Sequence, residues 1–215
     1  MRVAIVTEVS TAGRNADVVR ALEGRGLELL NVGMKHKDPD EPELTYINTG
    51  FLAALLLNCG RCDMVVGGCG TGQGFQVSVS QYAGVTCGHL LTPLDAWLFG
   101  RINAGNCVSL ALNQGYGWGS DINLRLIFDQ LFSVEHGAGY PEQRRESQKR
   151  SRGLLRQINL VCHRRMPDIV RELDDIVTLP ALTYPGVLEL LDLDSMEDRE
   201  LAGALNACLG RAARR

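Results

Sequence analysis

No apolar run in this 215-residue sequence reaches the roughly 20 residues needed to cross the hydrocarbon core of a membrane. A strong positive balance is missing as well. The formal net charge is −3, with 22 Lys and Arg against 25 Asp and Glu, which speaks against a nucleic-acid partner because phosphate backbones select a broad basic surface. Basic residues cluster once, six of them in "RRESQKRSRGLLR" (residues 144–156), but no aromatic interleaves them as single-strand binding would require. A solvated helix face or a local anion site accounts for that stretch. The opening residues, "MRVAIVTEVS", lack the succession of basic segment, long apolar segment and small-residue cleavage site that marks a secretion signal. The seven cysteines are odd in number and several lie inside apolar runs, so a cytoplasmic protein with reduced thiols is expected rather than a disulfide framework. What is present is ordinary: 45% apolar and 22% charged residues, and enough chain for one full hydrophobic core.

Short apolar runs alternate with helix-like segments. "VAIV" (3–6) reads as a strand buried on both faces, and "DVVRALEGRG" follows with Val18, Val19 and Leu22 at helical spacing. "LELLNVG" (27–33), "DMVVGG" (63–68), "GVTCG" (84–88) and "NCVSLAL" (106–112) read as four more strands. Between them, "INTGFLAALLLNCGR" is a strongly apolar helix and "GFQVSVSQYAG" a shorter one. "LLTPLDAWLFGRI" starts well as a helix, with Thr92 as cap, Pro93 in the first turn and Asp95 placed to receive free N–H groups. "SDINLRLIFDQLF" predicts another, with Ser120 as cap. The alternation predicts an α/β fold, a three-layer α/β/α sandwich with a five-stranded parallel, Rossmann-like sheet plus C-terminal helices. Ligands in such folds bind beyond the carboxyl ends of the strands, which gathers Thr7, Glu8, Cys69, Thr71 and the loops after residues 33, 88 and 112 on one rim.

The character changes near residue 159, dividing an α/β domain (1–158) from a helical C-terminal extension (159–215). "HRRMPDIVRELDDIV" predicts one helix and "TLPALTYPGVLELLD" a proline-punctuated stretch. "SMEDRELAGALNACLG" predicts a last helix, begun by Ser195 and Asp198 and stopped by Gly210. The extension is expected to cover the core or to widen an oligomer interface.

The stretch "VVGGCGTGQGFQ" (65–76) sets Cys69 among glycines at the end of an apolar run. A dinucleotide fingerprint would follow the first strand, not the third, and would carry a ribose-binding acid; a phosphate loop of the Walker type would close on lysine and serine or threonine. What remains is a strand-to-helix turn whose N–H groups converge on an anion or a developing oxyanion. Cys69 at its entrance would gain thiolate character there, as nucleophile or general base. The plain alternative is a small buried side chain filling a tight turn. Cys59 and Cys62 have C-x-x-C spacing without a second pair, Cys69 brings the set only to three, and the histidines are scattered, so no metal site is expected. A redox pair there would lie at the end of a helix, the wrong terminus to stabilise a thiolate.

The acid after the first strand, "CGTGQG", and "NAGN" before the last strand together resemble the ribose 5-phosphate isomerase type B family, which includes galactose 6-phosphate isomerase subunits. The resemblance covers roughly residues 1–158. It implies a doubly wound sheet, a homodimer whose active sites are shared between subunits, and interconversion of aldose and ketose phosphates without metal or organic cofactor. It assigns Cys69 the proton beside the carbonyl, and Thr71 with the amides around Gly70, Gly72 and Gly74 the enediolate. Glu8 preserves the acid after the first strand; Asn103 and Asn106 match asparagines that would orient substrate hydroxyls, or else cap the chain before strand five. Arg144 matches one arginine that contacts the sugar phosphate. Against the family pattern, Val9 and Ile102 stand where histidines are usual, Tyr140 where a second arginine is, and Thr45 and Ile47 where an acid and a proline are. Arg145 is one helical step, about 100°, away from Arg144 and is expected to aim elsewhere. His89 is a candidate replacement imidazole. These departures predict an altered substrate preference, a smaller or differently placed anion, and an open-chain sugar over a closed ring. The rival reading is a sugar-phosphate binding or regulatory protein without catalysis. Neither nucleic acid nor membrane is expected as a partner.

Overall fold

Val3 and Ile5 face one side of the first strand and Ala4 and Val6 the other, all four shut off from solvent. Such a strand needs apolar layers on both sides, and it has them. In a computed structural model describing residues 1–212, the parallel strands β1 (Arg2–Val6), β2 (Glu28–Asn31), β3 (Met64–Cys69), β4 (Cys87–Leu90) and β5 (Cys107–Ala111) lie in the order β2-β1-β3-β5-β4. Helices α1 (Asn15–Leu22), α4 (Pro93–Leu98) and α5 (Ser120–Ser133) cover one face, where Val3, Ile5 and Val66 meet Leu22, Ile127 and Phe128. Helices α2 (Tyr46–Asn58) and α3 (Gln73–Val79) cover the other, where Ala4, Val6 and Val65 meet Phe51, Leu55 and Phe75. This is the doubly wound α/β sandwich that the sequence predicts. The direction of winding reverses between β1 and β3, so the crevice at their carboxyl ends is the place where such folds hold ligands.

Local chemistry explains where elements begin. Thr92 and Asp95 form the expected reciprocal cap: the Thr92 hydroxyl accepts from Asp95 N at 3.2 Å and the Asp95 carboxylate accepts from Thr92 N at 2.8 Å. Helix α2 carries an unforeseen cap of the same kind, Thr45 with Asn48, in which Asn48 Oδ1 accepts from Thr45 N at 2.9 Å. Ser120 is not the cap of α5. Gly119 occupies that position at φ 79°, and the Ser120 hydroxyl accepts from Gly117 N at 2.7 Å instead. Strand β4 begins later than expected because the Asn106 side chain holds residues 84–86 in a turn, accepting from Thr86 N at 2.9 Å and donating to Gly84 O at 2.8 Å. His89 therefore lies within β4, opposite Ser109, rather than just after it.

The C-terminal part wraps around α2. Helix α6 (Arg145–Cys162) runs unbroken across residues 158 and 159, and none of its residues is buried. The helix expected over 163–177 is two: α7 (Met166–Glu172) and α8 (Asp175–Leu182), split because Asp174 caps the second by accepting from Ile176 N at 2.9 Å. After α9 (Val187–Leu191), Ser195 closes a separate short 3-10 turn, and α10 (Arg199–Ala212) starts on Asp198, whose carboxylate accepts from Leu201 N at 2.9 Å. Gly210 does not stop α10, which continues through it.

Met166, Val170, Leu182, Leu201 and Leu205 join the same core as Phe51, Leu52 and Leu56. Helix α2 is thus enclosed between the sheet and this outer layer, which is why it is buried around its whole circumference from residue 48 to residue 56 and apolar from residue 51 to residue 57. Each fully buried Leu or Phe there contributes about 1.5–3 kcal/mol of transfer free energy. Two polar clamps fix the layer: Asn48 Nδ2 donates to Ile176 O at 2.9 Å, and Arg61 Nε donates to Leu191 O at 2.9 Å.

Candidate active site

Cys69 ends β3 at the crevice between β1 and β3, with 6% of its surface exposed. The turn that follows is a true change of direction, since Gly72 has φ 76°, a region that penalises any side chain. Gly72 caps α3, and Ser109 Oγ reaches up from β5 to donate to the Gly72 carbonyl. The Thr71 hydroxyl, on an exposed residue, accepts from Gln73 N at 3.3 Å. Among the described residues, the N–H groups of Gly70, Thr71, Gly74 and Phe75 have no protein acceptor, so four donors remain at this turn for an oxygen brought from outside.

Glu8 lies one residue past Thr7 at the end of β1, 3% exposed, with both carboxylate oxygens held by Ser10: Oε2 accepts from Ser10 N at 3.0 Å and Oε1 from the Ser10 hydroxyl. The Ser10 carbonyl in turn accepts from Asn113 Nδ2 at 2.9 Å. Both residues stand beside the cysteine turn, for a side chain on Gly70 would lie 3.6 Å from Asn113 Nδ2 and 3.7 Å from Ser10 Oγ. The loop after β5 is bonded to that turn, Leu112 N to Cys69 O at 3.0 Å and Gln114 N to Gly70 O at 2.8 Å. Ser10 and Asn113 are thus part of the rim although sequence reasoning passed them by. The rule that collects loops at strand carboxyl ends covers both and was their only signal.

The structure brings Glu8, Cys69, Gly70, Thr71, Gly72, Gly74 and His89 together and puts Asn103, Asn106 and Arg144 elsewhere. Asn106 directly precedes β5, whose first residue pairs with Val65, whereas Cys69 pairs with Ala111 at the far end of the same strand. Four residues of strand, roughly 13 Å, separate the two levels. Asn103 ends a π-helical turn (Phe99–Asn103) at the same amino edge, followed by Ala104 in the left-handed region at φ 47°. Asn103 lines a cavity of about 360 Å³ with Arg152, Arg156 and Leu155. The Asn106 amide is engaged by the two backbone bonds described above. Arg144 closes a short 3-10 turn just before α6 and its Nε donates to Ser147 Oγ at 3.2 Å. His89 packs its ring under the cysteine turn, and its buried Nε2 has no hydrogen-bond partner among the described residues. A side chain on Gly72 would lie 2.5 Å from that nitrogen.

A row of other thiols marks the amino edge. Burial pushes the Cys62 thiol up to about 12, and burial raises Cys107 well above its ordinary range, helped by the neighbouring Cys87. Cys59 is raised by the same cause. Among the described residues, no three His, Cys, Asp or Glu side chains are grouped to hold a metal ion. No single described helix is long and apolar enough to cross a membrane.

The family model for Ribose/Galactose Isomerase matches residues 3–126. No curated protein sequence matches the chain. Among solved structures, a 4-deoxy-L-threo-5-hexosulose-uronate ketol-isomerase, complexed with a tartrate, is 33% identical with a TM-score of 0.92, over 98% of this chain and 100% of its own. Ribose-5-phosphate isomerase LacAB_rpiB from Vibrio parahaemolyticus is 35% identical with a TM-score of 0.90, over 97% of this chain and 99% of its own. Type B ribose 5-phosphate isomerase of Trypanosoma cruzi shares the fold at 17% identity and a TM-score of 0.63, and 97% of it matches only 74% of this chain. The first two run nearly the whole length of the present chain, α7 to α10 included, and with the matched model they establish that the chain belongs to the ribose/galactose isomerase family.

Proposed function

We propose that the protein is an aldose–ketose isomerase that works without metal or organic cofactor on an open-chain acidic sugar. The observation that carries this reading is Cys69 at the winding reversal, next to a turn of unpaired backbone donors. The Cys69 thiolate takes the proton from the carbon beside the carbonyl, and the electron pair left behind moves onto the carbonyl oxygen, giving an enediolate. That oxygen faces the N–H groups of Gly70, Thr71 and Gly74 together with the Thr71 hydroxyl. The thiol then returns the proton to the adjacent carbon while the proton on oxygen exchanges between the two oxygens. Donors already in place need no rearrangement as the charge forms, the largest contribution such a site makes. Glu8, held by Ser10, orients the hydroxyl end of the substrate.

Within one chain Asn103 lies at the end of the strands opposite to Cys69, and Arg144, at the start of α6, bonds Ser147. A homodimer in which the second copy supplies them completes the site. Helix α6 supports that arrangement: Leu154, Leu155, Ile158 and Val161 are all more than half exposed, an apolar stripe left bare by the described residues. A cytoplasmic setting suits its free thiols.

The acid group is favoured as a carboxylate. Tyr140 stands in place of an arginine, and the positions of two histidines that would open a sugar ring hold Val9 and Ile102. A 4-deoxy-5-keto uronate, the compound in the name of one relative, lacks the hydroxyls on carbons 4 and 5 that close an ordinary sugar ring. Such a substrate needs no ring-opening imidazole. The second reading, a sugar phosphate such as ribose 5-phosphate, draws on Arg144 and on the Vibrio relative.

The test is turnover of both substrates in deuterated solvent, read by deuterium at the carbon beside the carbonyl. Cys69→Ala is expected to lower kcat by about 100- to 10,000-fold, the range of a general base, with the unfolding midpoint little changed. Undiminished turnover in Cys69→Ala sinks the residue assignment; binding without exchange in the wild type favours a non-enzymatic sugar-binding protein.

A further inference from the structure

Glu8 is the acid that the first strand delivers to the rim, yet at 3% exposure its carboxylate has almost no surface to offer a substrate. Ser10 is the hydrogen-bond partner of both carboxylate oxygens among the described residues, with its N–H on Oε2 at 3.0 Å and its hydroxyl on Oε1. Ser10 itself is exposed. Its hydroxyl proton is committed to Glu8, while no described group donates to the two lone pairs of Oγ. The serine thus stands between a buried carboxylate and the open rim.

Its place beside the cysteine turn is fixed by the loop after β5. Ser10 Oγ lies 3.7 Å from the point where a side chain on Gly70 would begin. The Ser10 carbonyl is held by Asn113, whose own N–H bonds the Gly70 carbonyl at 3.0 Å. The hydroxyl is therefore already at the turn whose free donors face the enediolate, and no part of the chain has to move to bring it there.

An aldose–ketose isomerisation moves two protons. Cys69 carries the one on carbon. The one on oxygen has to leave the hydroxyl beside the carbonyl and reach the former carbonyl oxygen. We propose that Ser10 is the catalytic residue for this second transfer, relaying the proton to Glu8 and back. The substrate hydroxyl gives its proton to a lone pair of Ser10 Oγ as the Ser10 hydroxyl proton passes to Glu8 Oε1, leaving a neutral carboxyl group. The reverse exchange delivers a proton to the neighbouring oxygen, where the enediolate charge first formed, and restores the Glu8 carboxylate. No proton or electron pair is gained or lost overall. The arrangement is that of a hydroxyl backed by a positioned base. The inference rests on the isomerase reading above and adds to it the group that handles the oxygen-bound proton.

The two transfers can be read separately in deuterated solvent. With either the 4-deoxy-5-keto uronate or ribose 5-phosphate, Ser10→Ala is expected to lower kcat about 100-fold, the low end for positioned proton transfer, and to change KM by less than about threefold. Cys69 still forms the enediolate in that variant, so recovered substrate is expected to gain more deuterium per molecule of product than with the wild type. Glu8→Gln is expected to give the same pattern, and the double variant to be no slower than either single one, as for residues that act as a unit. Ser10→Thr keeps the hydroxyl and is expected to regain most of the rate. Exchange and isomerisation that fall together in Ser10→Ala, whatever its unfolding midpoint, overturn the relay and leave Ser10 as a support for Glu8. A raised KM at unchanged kcat overturns it too and makes the serine a binding contact. Failure of the wild type to convert either compound sinks the isomerase reading and this inference with it.

Discussion

At the amino end of the sheet, Cys62 and Cys107 are sealed under the chain and held as neutral thiols by burial. At the carboxyl end, Cys69 closes β3 beside a turn whose N–H groups of Gly70, Thr71 and Gly74 have no acceptor among the described residues. The side chain is the same and the surroundings decide its use. Cys69 is itself only 6% exposed and packs in the same core, so what distinguishes its end of the sheet is the free backbone donors beside it. The same contrast separates the asparagines. Asn113, at the carboxyl end, ties the loop after β5 to Ser10 and so to the held carboxylate of Glu8, while Asn106, at the amino end, staples residues 84–86. A family motif names residue types. Only the strand level says which of them one chain can bring together.

The strongest way to break this comparison is to ask whether the two ends meet across a dimer. Cys69→Ala and Asn103→Ala proteins, each nearly inactive, are expected to regain about a quarter of wild-type activity when unfolded and refolded together in equal amounts, because half the dimers then contain one intact site. Recovery at the level of the separate variants would show that each site lies within a single chain, and the amino edge would lose its part in catalysis. Adding Ile158→Asp to both variants is expected to prevent the recovery by placing a charge on the α6 stripe, with sedimentation reporting monomers.

Alkaline titration sharpens the contrast among the thiols. An acid whose folded pKa is raised binds its proton more tightly folded than unfolded, so stability is complete below the unfolded value and falls as pH rises. For Cys62 the loss runs from pH 9.0 to about 12, and Cys59 and Cys107 act with the same sign. The effect of Cys62 is on the order of 4 kcal/mol at its upper limit. Urea midpoints measured across that range are expected to fall less steeply for Cys62→Ala than for the wild type. Parallel slopes would mean that water reaches the thiol.

The smallest effect expected is that of Asn106→Ala. Losing two bonds to backbone groups at a partly wetted turn should lower unfolding free energy by about 1–2 kcal/mol while kcat changes less than threefold. A large fall in kcat with unchanged stability would instead make Asn106 a substrate contact.

What the sequence revealed follows the range of the interactions involved. The Thr92–Asp95 cap is legible because both partners lie within one turn. The Thr45–Asn48 cap is equally local but uses asparagine where glutamate or glutamine is usual, and it escaped notice. Glu8, Cys69 and Thr71 fall on one rim because strand–helix alternation fixes which strand ends point the same way. Asn113 reaches Ser10 across 103 positions, and no spacing rule connects residues so far apart. The role of Asn106 was hidden for the same reason, since its partners belong to the preceding strand's turn. The split between α7 and α8 turns on whether Asp174 bonds its own backbone or continues the helix, a choice that packing makes.

Helix α2 has no face suited to water, and the layer that shields it is encoded at the other end of the gene. During synthesis its leucines emerge roughly a hundred residues before α7, an interval on the order of 5–20 s at ordinary translation rates. Until that layer emerges the nascent chain displays a greasy rod, first alone and then, once β5 is made, beside a finished sheet. Chaperones that recognise bare aliphatic segments therefore have a defined window in which to act on this protein.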